Sequence, residues 1–90
     1  MNYTDALYWF ENHELTKSLE VLNELVSEDP ANIQLLLLRA RIYYKMQKWG
    51  DAMNDYSGIL EFEPHHREAR SGLEMSKSIL GYFTPDMFNP

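Results

Sequence analysis

The sequence predicts an all-α fold, with five helices forming antiparallel hairpins that stack into a short α-solenoid. Three observations carry this expectation. The phrase Ser27-Glu28-Asp29-Pro30 has a counterpart in Glu61-Phe62-Glu63-Pro64. At the shift that carries Pro30 onto Pro64, Trp9 pairs with Tyr43, Phe10 with Tyr44, Leu15 with Trp49, Leu19 with Met53, Leu22 with Tyr56, Leu25 with Ile59 and Val26 with Leu60, so apolar meets apolar throughout. Within each block the apolar spacing is that of a helix face, and no apolar–polar alternation lasts long enough for a strand.

Each element follows from local pattern. Ala6, Tyr8, Trp9 and Phe10 predict a first helix over about 4–12, ended by a turn near His13. Leu15, Ser18, Leu19, Leu22, Leu25 and Val26 follow i, i+3, i+4, i+7, i+10, i+11 and predict a second helix over 15–28. Leu36, Ala40 and Tyr43 predict a third over 32–46, with a turn near Gln47, and Trp49, Ala52, Met53, Tyr56, Ile59 and Leu60 repeat the second pattern over 49–62. Ala69, Leu73, Ser76 and Leu80 predict a last helix over 65–81, with Gly81 placed to cap its C-terminal end. One hairpin cannot cover its own apolar face, so neighbours must stack. The expected organisation is one domain over 1–83, with repeat 1 at about 1–30, repeat 2 at 31–64, a capping helix at 65–81, and a tail at 84–90.

Composition bounds the function. Ninety residues with 44% hydrophobic content and twelve aromatics can pack one small core. With no cysteine there is no disulfide, thiol nucleophile or thiolate metal site. No apolar run, Leu35 to Leu38 among them, approaches the roughly 18 residues a membrane span needs. A cytoplasmic, non-membrane protein is expected, since the first residues lack a basic n-region and an apolar h-region. The net charge of −6 argues against nucleic-acid binding. The excess is local, because residues 1–30 hold seven acids and one base, Lys17, while the rest of the chain balances.

This recurring helix–turn–helix phrase resembles the tetratricopeptide repeat. Counting back from Pro64, Leu36 takes the bulky fourth motif position, Ala40 the small eighth, Tyr43 the aromatic eleventh, Ala52 the small twentieth and Tyr56 the twenty-fourth. In the first block Ala6, Trp9, Ser18, Leu22 and Pro30 fill the eighth, eleventh, twentieth, twenty-fourth and final positions. Arg39 stands where the motif has leucine and Ile59 where it usually has alanine. The resemblance implies a right-handed superhelix, a scaffold for protein–protein interaction, and a concave surface lined by the first helix of each hairpin. The residues it puts there include Tyr3, Leu7, Phe10, Leu37, Arg41, Tyr44, Lys45, Met75 and Ile79, alongside Glu68 and Ser71. Some members hold a chaperone's C-terminal carboxylate with a clamp of Lys and Asn. Tyr3, Leu7, Leu38, Glu68 and Gly72 occupy the clamp positions here, so that ligand is not expected.

The strip Tyr3, Leu7, Phe10, Leu37, Tyr44, Met75 and Ile79 is apolar, as interaction surfaces are. Four consecutive leucines sweep about 300° of a helix, so at least one cannot face the core, and the resemblance assigns Leu37 to the concave side, where it should be exposed. Arg41 and Lys45 flank it, one turn apart, and would favour an acidic residue in a docking peptide. The expected function is therefore non-enzymatic binding of a partner's peptide or helix. The alternative is self-association, as a homodimer, through the same surface. Met87 and Phe88 of the tail could also fold back onto it.

A catalytic site is not expected. His13 sits in a turn, while His65 and His66 are adjacent, so they do not make the i, i+4 pair of a zinc site. Glu63, His65 and His66 could at most hold a stray divalent ion. Ser57, Ser71, Ser76 and Ser78 have no activating partner at a telling spacing. The four glycines form no phosphate loop, and no cofactor or metal is expected.

Overall fold

A computed structural model describes residues 1–83, with side chains to Gly81. Five helices follow in order: α1 (Tyr3–Glu11), α2 (Leu15–Glu28), α3 (Ile33–Lys45), α4 (Trp49–Phe62) and α5 (Arg67–Phe83). The fold is all-α and repeat-like, each helix packing on its neighbours in sequence.

The ends of the helices show why the chain turns where it does. Asn2 caps α1 in a reciprocal box, its side chain accepting from the Asp5 N–H while the Asp5 carboxylate accepts from the Asn2 N–H. After α1, Glu14 N–H donates to Trp9 C=O (2.8 Å) and His13 N–H to Phe10 C=O (3.1 Å). After α3, Lys48 N–H donates to Tyr43 C=O (2.8 Å) and Gln47 N–H to Tyr44 C=O (3.0 Å). Both are Schellman closures, and they place His13 and Gln47 at φ 61° and 60° in the left-handed region where glycine is usual. The period also holds at helix starts. Asn32 Oδ1 accepts from Leu35 N–H, and one full repeat later His66 Nδ1 accepts from Ala69 N–H. The sequence repeat is thus a repeat of backbone hydrogen bonds as well as of apolar side chains.

Small residues permit close packing within each hairpin. Ala6, Ala40 and Ala52 are fully buried, and the equally buried Ser18 donates its hydroxyl to Ala6 C=O across the first hairpin at 2.7 Å. Leu22, Leu38, Ile42 and Ile59 are at 0% exposure, each contributing about 1.5–3 kcal/mol by leaving water.

The ends of α1 and α3 differ from expectation by one residue and those of α5 by two. Gly81 does not cap α5, which runs through it to Phe83. The helix also begins at Arg67 rather than at residue 65, because His66 serves as the residue ahead of the first turn. The expected tail, 84–90, and the idea that Met87 and Phe88 cover the groove lie outside the described residues.

α5 exchanges apolar for charged side chains on one of its sides. Leu36, Ala40 and Tyr43 face α4 within the second hairpin; one repeat on, the same positions hold Arg70, Glu74 and Lys77, all exposed. The opposite side of α5 keeps Ala69 and Ser76 buried against α4. α5 can therefore pack on what precedes it and present charge to water where a sixth helix would lie.

Candidate functional site

A groove of about 330 Å³ opens where α1, α3 and α5 pass one another, lined by Phe10, Arg41, Tyr44, Lys45, Tyr56, Glu68, Ser71, Gly72 and Met75. Helical spacing puts Arg41, Tyr44 and Lys45 on one side of α3, and Glu68, Ser71, Gly72 and Met75 on one side of α5. Phe10 reaches the groove from α1, the helix that packs on α3 across the hairpin boundary. The wall is mainly apolar, and Met75 is 55% exposed.

Charge inside the groove is paired on one side only. Arg41 holds Glu68 through two bonds, Nε to Oε2 and Nη2 to Oε1, both at 2.6 Å. This hydrogen bonding holds the Glu68 carboxyl below its ordinary pKa and raises that of Arg41. Lys45 Nζ lies 5.7 Å from the centre of the Phe10 ring. Among the described residues, no carboxylate lies within ion-pair distance of Lys45. The expectation that both Arg41 and Lys45 await an incoming acid is therefore corrected. Glu68, on the neighbouring helix, already supplies the acid to Arg41.

Of the sequence-derived strip, Phe10, Arg41, Tyr44, Lys45 and Met75 come together in this groove. Tyr3, Leu7, Leu37 and Ile79 do not line it. Tyr3, Leu7 and Leu37 are half-buried and pack against the core, so the groove is shorter than the strip. Leu37 is still the one leucine of its run that is not buried: Leu35, Leu36 and Leu38 are at 5%, 5% and 0% exposure.

Two lining residues escaped the sequence reading. Tyr56 belongs to the second helix of its hairpin, which the motif places away from the groove. It reaches the groove because Gly72 presents no side chain: a Cβ on Gly72 would overlap the Tyr56 ring. An isolated glycine inside a good helix was the available signal, since such a residue costs helix stability unless something approaches closely. Burial raises the Tyr56 hydroxyl pKa above its ordinary value.

The other sequence candidates gather no chemistry. Glu63, His65 and His66 border a shallow surface dip, but the His66 ring is engaged as the cap of α5. Among the described residues no group of three or more His, Cys, Asp or Glu side chains could hold a metal ion. No described helix is long and apolar enough to cross a membrane.

Arg39 is engaged across the helices. Its guanidinium grips Asp55 of α4 through two 2.8 Å bonds and reaches Asn23 of α2 at 3.1 Å. The Arg39 and Asp55 side chains are 19% and 5% exposed, so this is a largely internal ion pair between α3 and α4, to which Asn23 adds a hydrogen bond from α2. Compared with known proteins, the chain matches no family model, and no solved structure matches it.

Proposed function

We propose that this chain is a tetratricopeptide-like interaction module, non-enzymatic, that receives a segment of a partner protein in the groove between α1, α3 and α5. The observation that carries the reading is the groove itself: apolar walls from Phe10, Tyr44, Tyr56 and Met75, with Met75 55% exposed and Lys45 at the rim. Apolar surface in a concave setting gains when a ligand displaces its water, and a few polar groups orient what binds. Because Glu68 already neutralises Arg41, Lys45 selects the charge. The ligand is a short apolar or aromatic segment with a neighbouring Asp or Glu. The repeated hairpins support the family reading, and the Arg39–Asp55 pair accounts for the departure at Arg39.

The test is affinity capture from the source cell with the wild-type chain and with Met75→Glu. Met75 is exposed, so the variant should keep its helicity and melting temperature. A partner retained by wild type and lost by Met75→Glu supports the groove, whereas identical captures would overturn it. Light scattering across protein concentration supplies the competing outcome: a dimer abolished by Met75→Glu would assign the same surface to self-association.

A further inference from the structure

The repeat exposes at one end of the molecule what it buries everywhere else. In the first helix of each hairpin, one stripe meets the second helix of the preceding hairpin. In α5 this stripe holds Ala69 and Ser76, both at 0% exposure against α4. In α3 it holds Leu35 and Ile42, at 5% and 0%, with Arg39 between them reaching Asn23 of α2. Shifted back by one more repeat, the stripe is Met1, Asp5 and Tyr8. Here Met1 is 83% and Tyr8 58% exposed, because among the described residues no helix covers them.

A shallow groove of about 400 Å³ lies beside this stripe, lined by Met1, Trp9, Lys17, Glu20, Val21 and Glu24. Tyr8 packs edge-on against Trp9, with ring centres 5.1 Å apart, and Lys17 Nζ sits 4.6 Å from the Trp9 ring centre. The rim is acidic, with Glu20 and Glu24 exposed on α2 one turn apart. This is also the stretch of chain that holds the whole net charge, seven acids against Lys17.

We infer that the open α1–α2 end docks an amphipathic helix of a partner that carries lysine or arginine beside its apolar stripe. It would lie on Met1 and Tyr8 as α2 lies on Leu35 and Ile42. The internal junction supplies the seat, and the acidic rim supplies the charge selection. A second copy of this chain is a poorer occupant, since two such ends would bring Glu20 and Glu24 against their own kind. The surface is separate from the α1–α3–α5 groove and does not rest on that reading.

The probe is a capped synthetic peptide of residues 15–28 carrying Glu20→Lys, Glu24→Lys and Glu28→Lys. It keeps the apolar stripe of the helix that performs this covering inside the molecule. Titrated into the isotope-labelled full chain, it should shift the Trp9 indole, Met1 methyl and Tyr8 ring signals saturably and leave the Trp49 indole in place. Binding should weaken several-fold as salt rises from about 50 to 200 mM, and the protein variant Glu20→Lys/Glu24→Lys should lose it. The inference is overturned by no saturable shift at millimolar peptide, by equal binding of the unmodified acidic peptide, or by shifts centred on Phe10 and Met75. Shifts of Met1 and Tyr8 that grow with protein concentration alone would assign the face to a second copy and overturn it too.

Discussion

At Arg39 a single residue decides both an internal contact and how far the chain departs from a repeat motif. Two short bonds and nearly complete burial of Asp55 make this pair unlike an exposed surface bridge. Arg39→Leu would restore the motif residue yet leave the Asp55 carboxylate buried without its cation. The expected loss is about 3 kcal/mol, read from chemical denaturation, with much of it recovered in Arg39→Leu/Asp55→Leu. A neutral single variant would show that water already serves Asp55. Glycine gives a second residue-scale contrast. Gly72→Ala drives a methyl into the Tyr56 ring and should cost about 1–3 kcal/mol. Gly58→Ala meets only Leu36 Cδ1 at an ordinary 3.7 Å, so it should gain about 0.5–1 kcal/mol from helix propensity. Thermal melts of the two variants should move in opposite directions.

At the scale of elements, α5 carries charge on the side where α3 is apolar. Its charged stripe, Arg70, Glu74 and Lys77, replaces the apolar contacts that Leu36, Ala40 and Tyr43 make one repeat earlier. Its other side covers α4, burying Ala69 and Ser76. A fragment ending at Pro64 should therefore expose the α4 face around Tyr56 and Ile59 and give an aggregating or molten product. Sharp amide dispersion from a monomeric 1–64 fragment would contradict that role. Ser76 adds a finer test within α5: its hydroxyl is buried with no hydrogen-bond partner among the described residues, so Ser76→Ala should leave the melting temperature unchanged or raise it.

For the whole molecule, the ion pair Arg41–Glu68 ties α3 to α5, two helices that flank the groove from different repeats. Hydrogen bonding to Arg41 lowers the Glu68 pKa in the folded state. Stability from a depressed carboxyl is fully present above its unfolded pKa, the ordinary glutamate value, and fades as pH falls through the lower folded value. The side chains are 39% and 43% exposed, so solvent screening keeps the effect modest. Carboxyl-resolved NMR should find Glu68 titrating below the ordinary glutamate range, and Arg41→Gln should return it there. An unshifted Glu68 in the wild type would mean the pair is open in solution.

The helix pattern, the period and both turns were legible in the residues, because amphipathic spacing and turn closure are local and the repeat states them twice. His13 and Gln47 stand where the expected turns fall. Four leucines cannot all face one side, and Leu37 is the one of its run left half-buried, but it packs against the core rather than standing exposed. Part of the candidate strip was also legible: Phe10, Tyr44 and Met75 line the groove, while Tyr3, Leu7, Leu37 and Ile79 fall outside it. What the tertiary structure alone decided are the pairings between elements. A spacing rule names the side of a helix a residue occupies, not the neighbour that reaches it. Hence the sequence could not show that Glu68 would already hold Arg41, that Asp55 would make room for Arg39, or that bare Gly72 would admit Tyr56 to the groove. The two ion pairs join residues 16 and 27 positions apart, and only packing brings them together.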